Sequence, residues 1–234
     1  MRNVLFGIVA TAGLVLLPIN SAGAITLDEL VDQVRHRYAN IRTLEASFEQ
    51  RNYQSATDDT LWFHGKLYFM KPHNLRIQVN KPDNQIIIMD SYRLWIHIPL
   101  LNQVIIQPRP RDINSQILLS MLMGEGDPRK DFHVSWTKSD APDAKGRYRI
   151  GLRPISPQKG MDRIEVAVDS KTYYMVGFRL SDRLGNRQDF EIKDITINQP
   201  LSQELFRMEI PKGTTVITPH MKNSEFPVTP EGRP

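Results

Sequence analysis

Cysteine is absent from all 234 residues. The chain can therefore form no disulfide, offer no thiolate to a metal, and carry no lipid on an N-terminal cysteine of its own. It also lacks an apolar run long enough to cross a bilayer: the longest, residues 4–17, spans 14 residues where a membrane helix needs ~18. Signatures of catalysis are missing too. There is no Gly-x-Ser-x-Gly elbow, no glycine-rich phosphate loop and no His-Glu-x-x-His stretch. The six histidines are scattered, and Asp58-Asp59 falls in an expected hairpin loop, where Asp serves turn geometry. No metal, cofactor or enzymatic activity is expected. Nor is charge of one sign gathered anywhere. The net charge is +4, with 30 basic and 26 acidic residues interspersed, so a nucleic-acid partner, which needs a basic stripe, is not expected either.

What is present begins with an export signal. Arg2 precedes the apolar run, and Ala22-Gly23-Ala24 supply the small residues of a cleavage site before Ile25. Residues 1–24 are expected to be a signal peptide, 25–217 one soluble domain, and 218–234, with Pro219, Pro227, Pro230 and Pro234, a disordered tail.

Thr26 and Glu29 form a capping box, and Leu27, Leu30, Val31, Val34 and Tyr38 recur at helical spacing, predicting a first amphipathic helix that ends near Asn40. From Thr43 the period becomes two. Leu44, Ala46 and Phe48 alternate with Glu45, Ser47 and Glu49, and Leu75, Ile77 and Val79 with Arg76, Gln78 and Asn80. Such one-sided strands continue, separated by turn clusters, through Ile96 and later Phe178. A change of parity near Lys193 predicts a bulge. Asp112 can cap a second helix over 113–123, which is apolar on more than one face.

This gives about eleven antiparallel strands and two helices. Eleven strands at ~4.8 Å make a sheet ~50 Å wide, and a helix covers only ~10 Å of it. The sheet must fold into a sandwich or curl. The two-sided second helix favours a curled antiparallel sheet, an incomplete barrel with a helical lid, mostly β with α. Its inside would be an apolar concavity. The expected lining comes from Phe48, Phe63, Leu67, Phe69, Leu75 and Ile77 in the first strands. Val79, Ile96 and Phe178 extend it, and Ile117, Leu118 and Met121 of the second helix close it.

The ordered succession Phe48-x-Gln50, Gly65-Lys-Leu-Tyr-Phe-Met-Lys71-Pro72, Leu94-Trp95-Ile96-His97-Ile98-Pro99, Asp182-Arg-Leu-Gly185-Asn186 and Ile210-Pro211-Lys-Gly213 resembles the periplasmic lipoprotein carrier (LolA) family. The resemblance implies a soluble, monomeric periplasmic protein that shields the acyl chains of lipoproteins. It would receive them from an inner-membrane transporter complex and pass them to an outer-membrane acceptor. A periplasmic lipid-binding sensor of the same fold is the alternative. Where the best-known members have arginine before the strand-breaking proline, this chain has Lys71. Lys71 shares the parity of Leu67 and Phe69, so its charge sits on the apolar face and is costly without partners. Carbonyls at the ends of the two lid helices are the expected partners, which would make Lys71 a latch of the empty state. The alternative is that it snorkels to water.

Overall fold

The computed structural model describes residues 24–109, 126–157 and 160–218. One α-helix, α1 (Leu27–Ala39), opens the domain. Its capping box is complete: Thr26 N donates to Glu29 Oε2 at 2.8 Å, and Glu29 N donates to Thr26 Oγ1 at 3.2 Å. Asp28 and Glu29 in the first turn and His36 and Arg37 in the last complement the helix dipole. Leu30, Val31, Val34 and Tyr38 form its buried face.

Eleven strands follow: β1 (Thr43–Gln54), β2 (Asp59–Met70), β3 (Asn74–Lys81), β4 (Gln85–Met89), β5 (Arg93–Ile98), β6 (Gln103–Pro108), β7 (Phe132–Trp136), β8 (Arg147–Pro154), β9 (Arg163–Asp169), β10 (Met175–Ser181) and β11 (Arg187–Ile197). A twelfth, β12 (Thr215–Ile217), ends the described chain. All belong to one sheet in the order β12-β6-β5-β4-β3-β2-β1-β11-β10-β9-β8-β7. Every pairing is antiparallel except the short parallel one between β12 and β6, so the sheet has twelve strands, one of them parallel to its neighbour, where about eleven antiparallel strands were expected.

The two meanders meet where β1 pairs with β11, from Leu44 opposite Ile197 to Tyr53 opposite Arg187. A register shift between Glu45 and Ser47 marks the expected bulge, with Asp194 at φ 52° and Ser47 Oγ donating to its Oδ2 at 2.6 Å. Beyond the bulge Ile195 and Ile197 return to the face of Phe190 and Ile192, so the extra residue repairs the pattern.

The sheet is unclosed, with β12 and β7 at its edges, and it wraps around α1. Leu30, Val34 and Tyr38 share one core cluster with Phe69, Leu75 and Met89 from one meander and with Phe132, Ile150 and Leu152 from the other. Met89 and Phe132 stand on strands eight places apart, ~38 Å along a flat sheet, whereas α1 is only ~20 Å long. An incomplete barrel around a helix satisfies both lengths. The second helix expected over 113–123 lies outside the described residues, as do the signal segment through residue 23 and the tail from 219.

The segment after β11 crosses the outer side as a strap. Residues 198–214 leave β11 beside β1, where Asn198 N donates to Thr43 O. They pass a 3-10 turn, Gln203–Phe206, whose Leu205 carbonyl accepts from Arg76 of β3 at 3.0 Å. They then reach β6, where Thr215 N donates to Asn102 O. Beneath this strap, Ile88 and Val104 point outward by register yet are fully buried.

Candidate functional site

Cross-strand register settles which side chains share the inner face. On β1 and β2 Phe48 lies opposite Gly65, and on β2 and β3 Leu67 lies opposite Ile77 and Phe69 opposite Leu75. Ile77 then pairs with Ile87 of β4, Ile87 with Ile96 of β5, and Ile96 with Ile105 of β6. Across the β1–β11 seam, Phe48 faces Ile192 and Phe190 faces Phe178. The rings of Phe178 and Phe190 stack with centroids 4.2 Å apart.

Nine expected lining residues therefore occupy one face, in two environments. Phe69 and Leu75 are packed into the cluster under α1, and Phe48 and Val79 are buried outside it. Phe63, Ile96 and Phe178 are half-buried away from that cluster, and Leu67 and Ile77 are half-buried against its edge. Ile117, Leu118 and Met121 lie outside the described residues. Four further half-buried residues of this face were not singled out from sequence: Ile87, Ile105, Phe190 and Ile192. Ile87 hides in the unbroken run 86–88, which has no period. Phe190 and Ile192 do alternate, but only the long-range β1–β11 pairing brings them beside Phe48.

The two faces divide by charge. From Leu61 to Phe69 on β2, and throughout β1, β4, β5 and β6, no inward position carries a charged side chain, whereas the outer face is a ladder of ion pairs. Lys66 reaches Glu45 at 3.0 Å, Lys193 reaches Glu49 at 2.8 Å and Arg147 reaches Glu191 at 2.9 Å. Asp189 takes Arg51 at 2.6 Å and also Arg179. Burial alone would raise the pKa of Asp189, but the two guanidiniums hold it below the usual carboxylate range. Among the described residues no group of His, Asp and Glu is arranged to hold a metal ion, and the inner face has no paired acid and base. What it can do chemically is exclude water from hydrocarbon.

Lys71 stands where α1 meets β2. Its ammonium donates to Ala39 O at 2.8 Å and to Tyr38 O at 3.2 Å, carbonyls of the last helical turn, of which Tyr38 O also accepts from Ile41 N at 3.1 Å; its backbone N donates to Arg42 O at 2.9 Å. Any partner on the second expected helix lies outside the described residues. Tyr38 itself is buried, its hydroxyl accepts from Met175 N at 3.0 Å, and burial pushes its pKa well up.

Residues 39–209 match the family model described as outer membrane lipoprotein carrier protein LolA. The chain is 26% identical over 216 residues to the outer-membrane lipoprotein carrier protein of Dechloromonas aromatica (strain RCB), covering 92% of this chain and 98% of that one. It is 25% identical over 178 residues to the carrier protein of the same description from Legionella pneumophila (strain Corby), covering 76% and 84%. Among solved structures, an uncharacterized conserved protein from Thermus thermophilus superposes with a TM-score of 0.55 at 13% identity, over 82% of this chain and 98% of that one. That likeness concerns the fold.

Proposed function

The chain belongs to the LolA family of outer membrane lipoprotein carrier proteins, and on that premise we propose that it is a periplasmic carrier, not an enzyme, which holds the acyl chains of lipoproteins against its inner face. The observation that carries this reading is the half-buried, uncharged apolar strip formed by Phe63, Leu67, Ile77, Ile96 and Phe178. A surface of this kind is stabilised by covering it with hydrocarbon. By family membership, cargo would come from an inner-membrane transporter complex and go to an outer-membrane acceptor, with the carrier acting as a monomer.

Release is the physical difficulty of such a job. Burying one acyl chain of about 16 carbons gains ~12 kcal/mol at ~0.8 kcal/mol per methylene, far too much for ready hand-off. A carrier must offset part of it, and opening contacts that close the empty cavity is one way to do so. Under this reading Lys71, bonded to the end of α1, is a latch of the empty form.

Native mass spectrometry of protein freshly isolated from envelope extracts tests the proposal. About one lipoprotein or lipopeptide per chain is expected. Bare protein that also refuses added lipopeptide would overturn it.

A further inference from the structure

Along β1 the inward side chains run Leu44, Ala46, Phe48, Gln50, Asn52, so hydrocarbon gives way to carboxamide on the central strand of the sheet. The change recurs at the same end of other strands. Gln188 precedes Phe190 on β11 and lies opposite Asn52, Gln85 precedes Ile87 on β4, and Gln103 precedes Ile105 on β6. Gln50 is flanked by Phe63 on one side and Phe190 on the other, so the amides begin at the lip of the aromatic wall.

Gln50 Nε2 donates to Asn52 Oδ1 at 2.7 Å in a part-buried setting. Among the described residues this is the one hydrogen bond that either side chain makes. Two carboxamides carry four N–H groups, and four less the one used leaves three donors on inward-facing side chains without a protein partner among the described residues. Leu or Met would fit a face that had only to hold hydrocarbon, because a half-desolvated amide is costly unless it finds a partner. Arg51, between Gln50 and Asn52 on β1, and Asp189 are paired to one another on the opposite face, and no cation has the inward parity on β1, β2 or β11 beside the two amides. A carboxylate or phosphate would therefore meet no cation at this lip. A neutral carbonyl, which only accepts, would meet donors.

We propose that Gln50 and Asn52 form a polar subsite for the neutral ester and amide carbonyls at which acyl chains join a lipidated N-terminus, so that they set the depth and direction of the chains. This deepens the carrier reading and rests on it.

The test compares the intact mature protein with Gln50→Leu, Asn52→Leu and the double variant, checking each fold by circular dichroism. Gln50→Met serves as the isosteric second choice should a leucine variant not fold. Two probes are titrated: a synthetic tripalmitoylated lipopeptide, and N-phenyl-1-naphthylamine, which is apolar and has no carbonyl. The double variant should bind the lipopeptide roughly tenfold more weakly, as expected for one or two lost hydrogen bonds. Its affinity for the naphthylamine should hold or rise. Short-chain phosphatidylcholine separates the sources: a matching loss assigns the glyceryl esters, and a loss confined to lipopeptide assigns the amide-linked chain. Undiminished lipopeptide binding, or an equal loss for the naphthylamine, would overturn the subsite. If the unmodified protein takes up the naphthylamine but no lipopeptide, it is the carrier reading that fails, and the subsite with it.

Discussion

The ring of Phe48 lies against the backbone of Gly65 on the neighbouring strand, where a Cβ on Gly65 would come within 2.8 Å of Phe48 Cε1 and 2.1 Å of Gln78 O. Neither neighbour can retreat cheaply, since one is a buried ring and the other is backbone. Gly65→Ala should therefore destabilise the fold by about 1–3 kcal/mol. Urea unfolding of the variant beside the unmodified chain measures this, and an unchanged midpoint would mean that the two strands separate freely.

Lys71→Leu removes a charged donor from the Tyr38 and Ala39 carbonyls. A charged hydrogen-bond pair of this kind is worth ~1.5–3 kcal/mol. If it holds the empty form closed, the variant should bind an acyl probe about tenfold or more tightly and pass cargo to an acceptor more slowly. A folded variant with unchanged affinity and transfer would leave Lys71 as a helix-capping lysine.

Tyr38 makes stability depend on pH at the alkaline end. Burial raises its folded pKa above the ordinary 10.0, so above that pH the unfolded chain loses a proton that the folded chain keeps. The stability present below pH 10 is then lost progressively as pH rises. Tyr38→Phe should flatten that alkaline limb. It should also cost about 1–3 kcal/mol at neutral pH, because Met175 N loses its acceptor in a buried place. Thermal melts between pH 7 and 11 give both quantities.

Cavity facing is tested with Phe63→Glu and Ile96→Glu, both half-buried and inward, against Asn80→Glu, exposed on the outer parity of β3. The first two should weaken lipopeptide binding at least about tenfold, through the cost of burying a carboxylate, and the third should not. Similar losses for all three would mean that the inner face is not where the lipid sits. Leu75, Phe69 and Arg76 would be poorer choices. The first two are core under α1, and Arg76 is tied to the strap through Leu205.

The strap has its own test. Phe206 is 7% exposed and ends the 3-10 turn packed against β3. Phe206→Ala should cost about 3–5 kcal/mol, as large-to-small changes at buried aromatics do. Because the strap lies on the outer face, lipopeptide affinity in the folded fraction should be unchanged.

The contrast between α1 and the strap shows where the sequence was legible. Thr26 and Glu29 announce the helix by a local hydrogen-bond pattern, and Lys193 announces the bulge by a local change of parity; the structure has both. Alternation at Phe63, Leu67 and Ile77 likewise marks the inner face, because one side of each strand is apolar and the other polar. Ile86-Ile87-Ile88 and Val104-Ile105-Ile106 have no such contrast. Both faces of β4 and β6 are apolar since the outer one is roofed by residues a hundred positions away, and no window of sequence contains that relation. The same holds for Phe190 and Ile192, whose place beside Phe48 depends on a pairing across the whole domain, and for Gln50, whose polarity reads as ordinary alternation until its register is known.

That pairing also orders events in time. Arg42 N is bonded to Asn198 Oδ1 across 156 positions of chain, and β1 cannot acquire its second neighbour until β11 exists. A chain emerging N-terminus first can form the β1–β6 meander, but its first strand then stands at an edge, with a row of unsatisfied peptide groups, until almost the last strand arrives. Until then β1 has only one of its two neighbours in the sheet, and a core that draws on both meanders stays open to water.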